Sequence, residues 1–355
     1  MGFCSVILYL QQVNGILSLN LRRGDQMKAL VHKNQKGMAG LHLEEWESRS
    51  LQSNEVRVKM KMVGLNHRDL FTVAQHEASA APLVIGSDGT GVISEINADV
   101  QQFKVGDEVI INPGLNWHEA TDAAPADFKI LGNPVHGTFA EEIILPIKNI
   151  ALKPEFLSWE EAGTLSLSAL TAYRALFTKG NVTEGTSVLV PGIGGGVATF
   201  LLQFAKAAGA KVYVTSRSAE KLKQAEKLGA DKGIQSESNW DEALDNEKVD
   251  VVIETVGAAT FHQSMKQLRQ GGTMVLIGSS TGDTIEFNLR EFFYGQYTLK
   301  GTTMGSAEEY QEMLNFIETH QIHPVVDSIF EWDEYEKAFD YLEKGQQVGK
   351  IALRI

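Results

Sequence analysis

Between Lys28 and Leu152 the apolar residues recur mostly at alternate positions or in short runs. "EVRVKMKMVGL" (55–65) alternates, "GTGVISEI" (89–96) and "DEVIINPG" (107–114) are brief apolar stretches, and Gly, Pro and Asn stand between them. A period of two with such punctuation predicts half-buried β-strands. Residues 112–138, rich in Pro, Ala and Asn, read as a loop-like insertion. The period then changes. "SWEEAGTLSLSALTAYRALFTKG" (158–180) has helical spacing, with Ser158 as N-cap and Glu161 three residues on as its capping-box partner.

From Ser187 onward strands and helices alternate. "SVLVPG", "KVYVTS", "VDVVIETVG" and "GGTMVLIGSS" are strand-like; "GVATFLLQFAKAAGA", "AEKLKQAEKLGA" and a segment at 258–270 are helical. Such alternation predicts βαβ crossovers and a parallel sheet covered on both faces. After "YTLKGTTMG" the pattern gives a helix at 306–320, an extended stretch at 325–332, a helix at 333–344 and a closing strand, "GKIALRI".

Composition narrows the picture only in places. With 355 residues, 43% hydrophobic and 22% charged, the chain can fill two cores. A net charge of −13 argues against nucleic acid as a partner, since phosphate binding relies on clustered Lys and Arg. The single cysteine, Cys4, excludes an intrachain disulfide and a cysteine-rich zinc site, and fits the cytoplasm. No apolar run approaches the roughly 20 residues of a membrane span. Residues 1–26 make a poor secretory signal. Met27 opens the first strand pattern, and Arg22-Arg23-Gly24-Asp25 before it can be encoded by purine-rich codons resembling a ribosome-binding site. We expect residues 1–26 to be a translated leader or a disordered extension.

Gly192-Ile193-Gly194-Gly195-Gly196-Val197-Ala198 lies between a strand and a helix. Glycines let backbone approach a pyrophosphate, a helix N-terminus offers free N–H groups, and Ala198 permits close helix–strand packing. The spacing Gly192-x-x-Gly195-x-x-Ala198 in this setting predicts dinucleotide binding. About 20 residues further on, where an acid would hold the ribose 2′-OH of NAD, stand Thr215-Ser216-Arg217-Ser218, with Lys221 one turn beyond. Ser216, Arg217 and Lys221 suit a 2′-phosphate, so NADPH is the expected cofactor.

The polar run "GLNHRDL" (64–70) could be a metal site, an acid/base site or the polar end of a strand. A wider resemblance bears on the choice. "MKALV", "VGLNHRDL", "IGSDGTGVI", "FKVGDEV", "GTFAEEIILP", "SALTAYRAL", the glycine loop with its helix, "VIETVG" and "GKIALRI" follow one another over 27–355. In this order they resemble a medium-chain dehydrogenase/reductase, on the branch of zinc-less quinone reductases and zinc-alcohol-dehydrogenase-like proteins. The resemblance implies an α/β protein: a Rossmann doubly wound parallel sheet (156–303) plus a β-rich, chaperonin-10-like (GroES-like) catalytic domain (27–155 and 304–355), with the site between them.

The same resemblance implies that the three catalytic-zinc positions are Asn66, Ser87-Asp88 and Leu167, each without its metal ligand, and that no metal is held. His67, Asp69, His118 and His136 match no familiar ligand spacing. Asn66 is then expected to donate to the substrate oxygen as negative charge develops, and His67 to deliver a proton. Arg68 and Asp69 are expected to fix the loop. Thr171, Gly257, Ile277 and Gly278 are placed beside the nicotinamide. Phe292, Phe293 and Tyr294 are candidates for an apolar pocket wall, and loops 72–82, 112–136 and 282–297 for setting substrate choice. The implied activity is NADPH-dependent hydride transfer to a quinone or an α,β-unsaturated carbonyl. Rivals are a zinc-type alcohol dehydrogenase and a non-catalytic NADPH-binding redox sensor. A homodimer paired through "GGTMVLIG" and "YTLKG" is expected, with a small-molecule substrate and no membrane or nucleic-acid partner.

Overall fold

The computed structural model describes residues 26–355, so the expectation about residues 1–26 lies, but for Gln26, outside the described residues. The strand expected from Met27 begins at Gln26 and runs to His32.

The long alternating stretch Glu55–Leu65 is the spine of the β-rich half. It lies in a seven-stranded sheet ordered Ile150–Leu152, Glu108–Ile111, Asp88–Ile96, Glu55–Leu65, Lys350–Arg354, Val326–Glu331, with Glu142–Pro146 also paired to the spine. Being covered on both sides, its closing strand reads as a run of buried residues, Lys350 to Leu353. A three-stranded sheet of Leu41–Glu47, Gln26–His32 and Leu83–Val84 flanks it.

The second half holds a six-stranded sheet whose neighbouring strands all pair parallel. Its order is Lys232–Gln235, Lys211–Ser216, Ser187–Val190, Val249–Glu254, Leu268–Leu276, Thr298–Gly301. In order of occurrence this is 3-2-1-4-5-6, the doubly wound arrangement, with its switch point between Ser187–Val190 and Val249–Glu254. Leu268–Leu276 is paired on both sides, so of the two segments expected to meet a partner chain only Thr298–Gly301 has a free edge.

Three local expectations change. The helix expected over 158–180 is broken: Trp159–Gly163 carries the Ser158–Glu161 capping box, then Ser166–Tyr173 and a π-helical turn Arg174–Lys179 follow. The break lies where a Cβ on Gly163 would come within 2.7 Å of Met62, and where the Thr164 hydroxyl donates to the Glu160 carbonyl at 3.0 Å. The helix expected at 258–270 spans only Phe261–Gln267, because the next strand already starts at Leu268. The 112–138 insertion holds a small sheet of Gly114–Leu115, Lys129–Leu131 and Pro134–Val135. Buried Arg174 pins the insertion by donating to the Thr121 and Asp122 carbonyls at 2.7 and 3.2 Å, stacking on Trp117 and pairing with Glu309. Among the described residues no helix is long and apolar enough to cross a membrane.

Candidate active site

At the carboxyl ends of the parallel strands, a cleft of about 500 Å³ opens between the two halves. The glycine loop forms one wall. Gly192 and Gly194 have φ of 75° and 135°, the left-handed region that favours glycine. Gly195 caps the helix Gly196–Ala207 and has no neighbour within 4 Å of where a Cβ would stand. Gly192, Gly195, Gly196, Val197 and Ala198 all line the cleft, so the helix N-terminus offers its unpaired N–H groups to it.

Thr171, Ile277 and Gly278 line it too. Thr171 donates to the Leu167 carbonyl at 2.7 Å, and a Cβ on Gly278 would meet the Thr255 carbonyl oxygen at 2.0 Å. Gly257 does not reach the cleft; its neighbours Thr255 and Val256 do. The turn there is shaped by Glu254, a fully buried carboxylate that the sequence reading passed over. Glu254 accepts from the Val256 and Gly257 amides at 2.8 and 3.1 Å and from the Thr260 and Ser264 hydroxyls.

Ser216, Arg217 and Lys221 sit off this cleft at the end of Lys211–Ser216. Ser216 is buried and accepts from the Ser218 amide at 3.1 Å, while Ser218 caps the next helix. Arg217 is exposed. Lys221 lies against Gly194 and donates to the Gly345 and Gln347 carbonyls at 2.7 and 2.8 Å. Its ammonium thus ties the glycine loop to the β-rich half, and burial lowers its pKa below the usual lysine value.

The "GLNHRDL" run turns out to be a strand end and a helix start. The spine strand stops at Leu65, Asn66 caps, and the helix His67–Gln75 begins. Asp69 accepts from the Asn66 amide at 2.8 Å, and Arg68 donates to Ser87 Oγ (2.5 Å) and to the Leu131 and Asn133 carbonyls (2.9 and 3.2 Å). Burial pushes Asp69 up to about 6. Asn66 and His67 face the cleft. The His67 ring meets Phe71 edge-on at 5.0 Å, and desolvation lowers its pKa from the ordinary histidine value.

Behind Asn66 lies a network that sequence reasoning missed. Lys350 Nζ donates to Asn66 Oδ1 at 2.6 Å, to Asp88 Oδ2 at 3.0 Å and to Ser168 Oγ at 3.3 Å. Asn66 Nδ2 donates to Asp88 Oδ2 at 2.9 Å, and Ser168 Oγ donates to Asn66 Oδ1 at 3.1 Å. Asp88 Oδ1 accepts from the Leu167 amide at 2.7 Å. All four side chains are 5% exposed or less. The one signal available was Lys350 itself, a lone cation opening the apolar run "IAL" at an inward strand position.

Other expected contributors are elsewhere. Phe293 and Tyr294 are 56% and 66% exposed on the helix Leu289–Gly295, and Phe292 packs on Phe287 and Tyr297. None of the three lines the cleft; that helix packs against the strand Leu268–Leu276 instead. Of loops 72–82, 112–136 and 282–297, only Ile130 lines it; Met304 and Leu342 supply apolar wall instead.

A doubly wound sheet with a glycine loop at its switch point, facing a β-rich half across a cleft, defines an NAD(P)-binding oxidoreductase. Residues 196–319 match the zinc-binding dehydrogenase family and residues 52–155 the alcohol dehydrogenase GroES-like domain. The chain belongs to the medium-chain dehydrogenase/reductase superfamily, on its zinc-type alcohol-dehydrogenase-like branch. It is 36% identical to a zinc-type alcohol dehydrogenase-like protein of Schizosaccharomyces pombe over 93% of this chain and 99% of that one. It is 31% identical to acryloyl-coenzyme A reductase of Metallosphaera sedula over 92% and 99% of the two chains. The structure of a thermostable alcohol dehydrogenase from Pyrobaculum aerophilum is similar at a TM-score of 0.84 and 28% identity, covering 93% of this chain and all of that one.

The zinc in the family's description does not fit these residues. The groups meeting behind Asn66 are an amide, one carboxylate and a hydroxyl, and a lysine ammonium already stands in hydrogen-bond contact with all three. Zinc needs three or four converging S, N or O ligands, and a second cation there would face the charge of Lys350. His67, Asp69, His118 and His136 do not converge either: among the described residues no group of three or more His, Cys, Asp or Glu could hold a metal.

Proposed function

We propose that this chain is an NADPH-dependent reductase of quinones and activated α,β-unsaturated carbonyls that works without a metal ion. The observation that carries this reading is the ammonium of Lys350 within the Asn66–Asp88–Ser168 cluster. With no Lewis acid to polarise a simple ketone or lower an alcohol's pKa, the acceptor must already be electrophilic. Quinones and enones are, because added hydride leaves a delocalised hydroquinone or enolate. The similarity to an acryloyl-coenzyme A reductase favours the same class of acceptor.

Bound NADPH supplies the hydride. The residues of 27–155 and 304–355 hold the acceptor, and those of 156–303 hold the coenzyme. Asn66 has one N–H engaged by Asp88 and keeps the other for the substrate oxygen. His67, open to the cleft, provides the proton that completes reduction. Thr171, Ile277 and Gly278 bound the nicotinamide side. Arg217 and the remaining N–H of Lys221 take the 2′-phosphate, and no carboxylate stands at that strand end to favour NAD. Two copies pair through the free edge of Thr298–Gly301, beside exposed Leu289, Phe293 and Tyr294, and the protein acts in the cytoplasm.

The test is oxidation of NADPH and of NADH with 9,10-phenanthrenequinone and a simple enone, with and without chelator. NADPH-preferring turnover untouched by chelator is expected, with R217A raising the KM for NADPH about tenfold and leaving that for NADH unchanged, a loss of roughly 1.4 kcal/mol. Turnover abolished by chelator, or none with any acceptor, would sink the reading.

A further inference from the structure

We propose that Lys350 is a positioning residue: it fixes the orientation of the Asn66 amide and strengthens it as a hydrogen-bond donor to the substrate oxygen. The proposal rests on the reading of Asn66 given above. An ammonium can only donate and an ionised carboxylate only accept, so the pair Lys350 and Asp88 leaves the amide one arrangement. Oδ1 faces Lys350 at 2.6 Å and Nδ2 faces Asp88 at 2.9 Å. Turned over, the amide would set N–H against ammonium and oxygen against carboxylate. The cation on Oδ1 draws electron density out of the amide, and the surrounding burial leaves that pull unscreened by water. The free N–H of Nδ2 thereby becomes a stronger donor. A metal polarises a substrate oxygen by ligating it; here charge of the same sign acts one amide away.

The surroundings hold this geometry in place. Asp88 is itself anchored by the Leu167 amide, and Ser168 adds a second donor to Asn66 Oδ1 from the helix that also carries Thr171. The Lys350 stem crosses the glycine loop at Gly196, where a Cβ would come within 2.4 Å of Lys350 Cδ. Gly196 therefore has a use besides its place at the helix N-terminus: it clears the path by which a cation from the closing strand reaches Asn66.

K350M leaves Asp88 buried without its cation, so the informative variant for turnover is D88N/K350M, which removes both charges, with a thermal melt as control for folding. Steady-state reduction of an enone should show kcat at least tenfold lower in D88N/K350M, with the NADPH dissociation constant, read by fluorescence titration, within twofold of wild type. Added to N66A, the same two changes should cost nothing more. Unchanged kcat, or a loss that adds in full to that of N66A, overturns the proposal. A second readout does not depend on turnover. In ¹⁵N-labelled protein the Asn66 side-chain amide, identified by its loss in N66A, should have one downfield proton that moves toward the free-amide position in K350M, where Asp88 is still present to accept it. If that signal does not move, positioning by Lys350 fails even in an active enzyme. If it moves while wild type reduces no quinone or enone, the proposed activity fails and the positioning stands.

Discussion

One wall of the cleft is made by leaving side chains out; the wall opposite is packed with charge. At Gly192 and Gly195 the backbone is bare, and Gly278 approaches Thr255 as closely as only glycine allows. Around Asn66, by contrast, four polar side chains from residues 66, 88, 168 and 350 fill a buried volume completely enough to satisfy one another. The bare wall is a surface waiting for a ligand's own charge. The filled wall brings its charge with it. At this place the fold holds a cation by extending a lysine from the closing strand.

Breaking the filled wall should have the largest effect. K350M removes one partner of a buried ion pair, 2% and 0% exposed at the side chains, and should cost about 3–5 kcal/mol in chemical denaturation. Removing both charges in D88N/K350M should restore most of that, since the remaining charge is what destabilises. A result in which both variants lose equally would mean the pair is worth more than its desolvation.

Asp69 sharpens the contrast by lying at the edge of the same wall with one oxygen, Oδ1, unpartnered among the described residues. Burial raises its pKa from 3.8 to about 6 in the folded state. The proton is therefore held more tightly folded than unfolded. Stability from this group is complete below pH 3.8 and lost as pH rises through about 6. D69N, whose side-chain oxygen still accepts from the Asn66 amide, should escape that loss. Its advantage over wild type should grow across this window to at most about 3 kcal/mol at pH 7, measured by urea titration at pH 4 and pH 7. No pH dependence in the difference would place the Asp69 charge in contact with water.

The bare wall should respond in the opposite sense, through binding and not folding. Gly195 has φ −81° and ψ 162°, open to any residue, and free space around its Cβ position. G195A should keep stability within about 0.5 kcal/mol of wild type. Its added methyl should weaken NADPH binding about tenfold, roughly 1.4 kcal/mol, by holding the pyrophosphate off the helix N-terminus. A destabilised G195A with unchanged affinity would reverse the assignment of the two walls.

How far each wall could be read from the chain follows from how it is made. Glycines close together in sequence carry their meaning in their spacing, so the parallel sheet and its glycine loop were legible; Thr171, Gly257, Ile277 and Gly278 were placed only through the family resemblance, and of these Gly257 does not reach the cleft. Asn66 and His67 were placed at the cleft edge only through the family resemblance, since the run itself left three readings open. Lys350 could not be placed, because its meaning lies in three partners 182 to 284 residues away. Glu254 was missed for another reason: its partners lie only 2 to 10 residues away, but an acid at a strand end reads as a surface charge until its burial is known. The aromatic residues 292–294 misled for a different reason: apolar side chains near a strand end suit a pocket wall and an outer surface equally, and only the packing of that helix against Leu268–Leu276, away from the cleft, separates them.

Residues 345–354 are tied to the glycine loop directly and through Lys221, which packs on Gly194. Gly349 donates to the Gly194 carbonyl at 3.0 Å, and Lys221 holds the carbonyls of Gly345 and Gln347. This segment follows every other element of the described chain in order of synthesis, yet it supplies a strand paired to the Glu55–Leu65 spine and the cation behind Asn66. On the ribosome, the glycine loop and Asn66 are made long before the strand that joins them. Until residue 350 has emerged, Asp88 has no cation and the amide of Asn66 has no fixed direction. The cleft therefore becomes competent only once that strand has been laid against the Glu55–Leu65 spine.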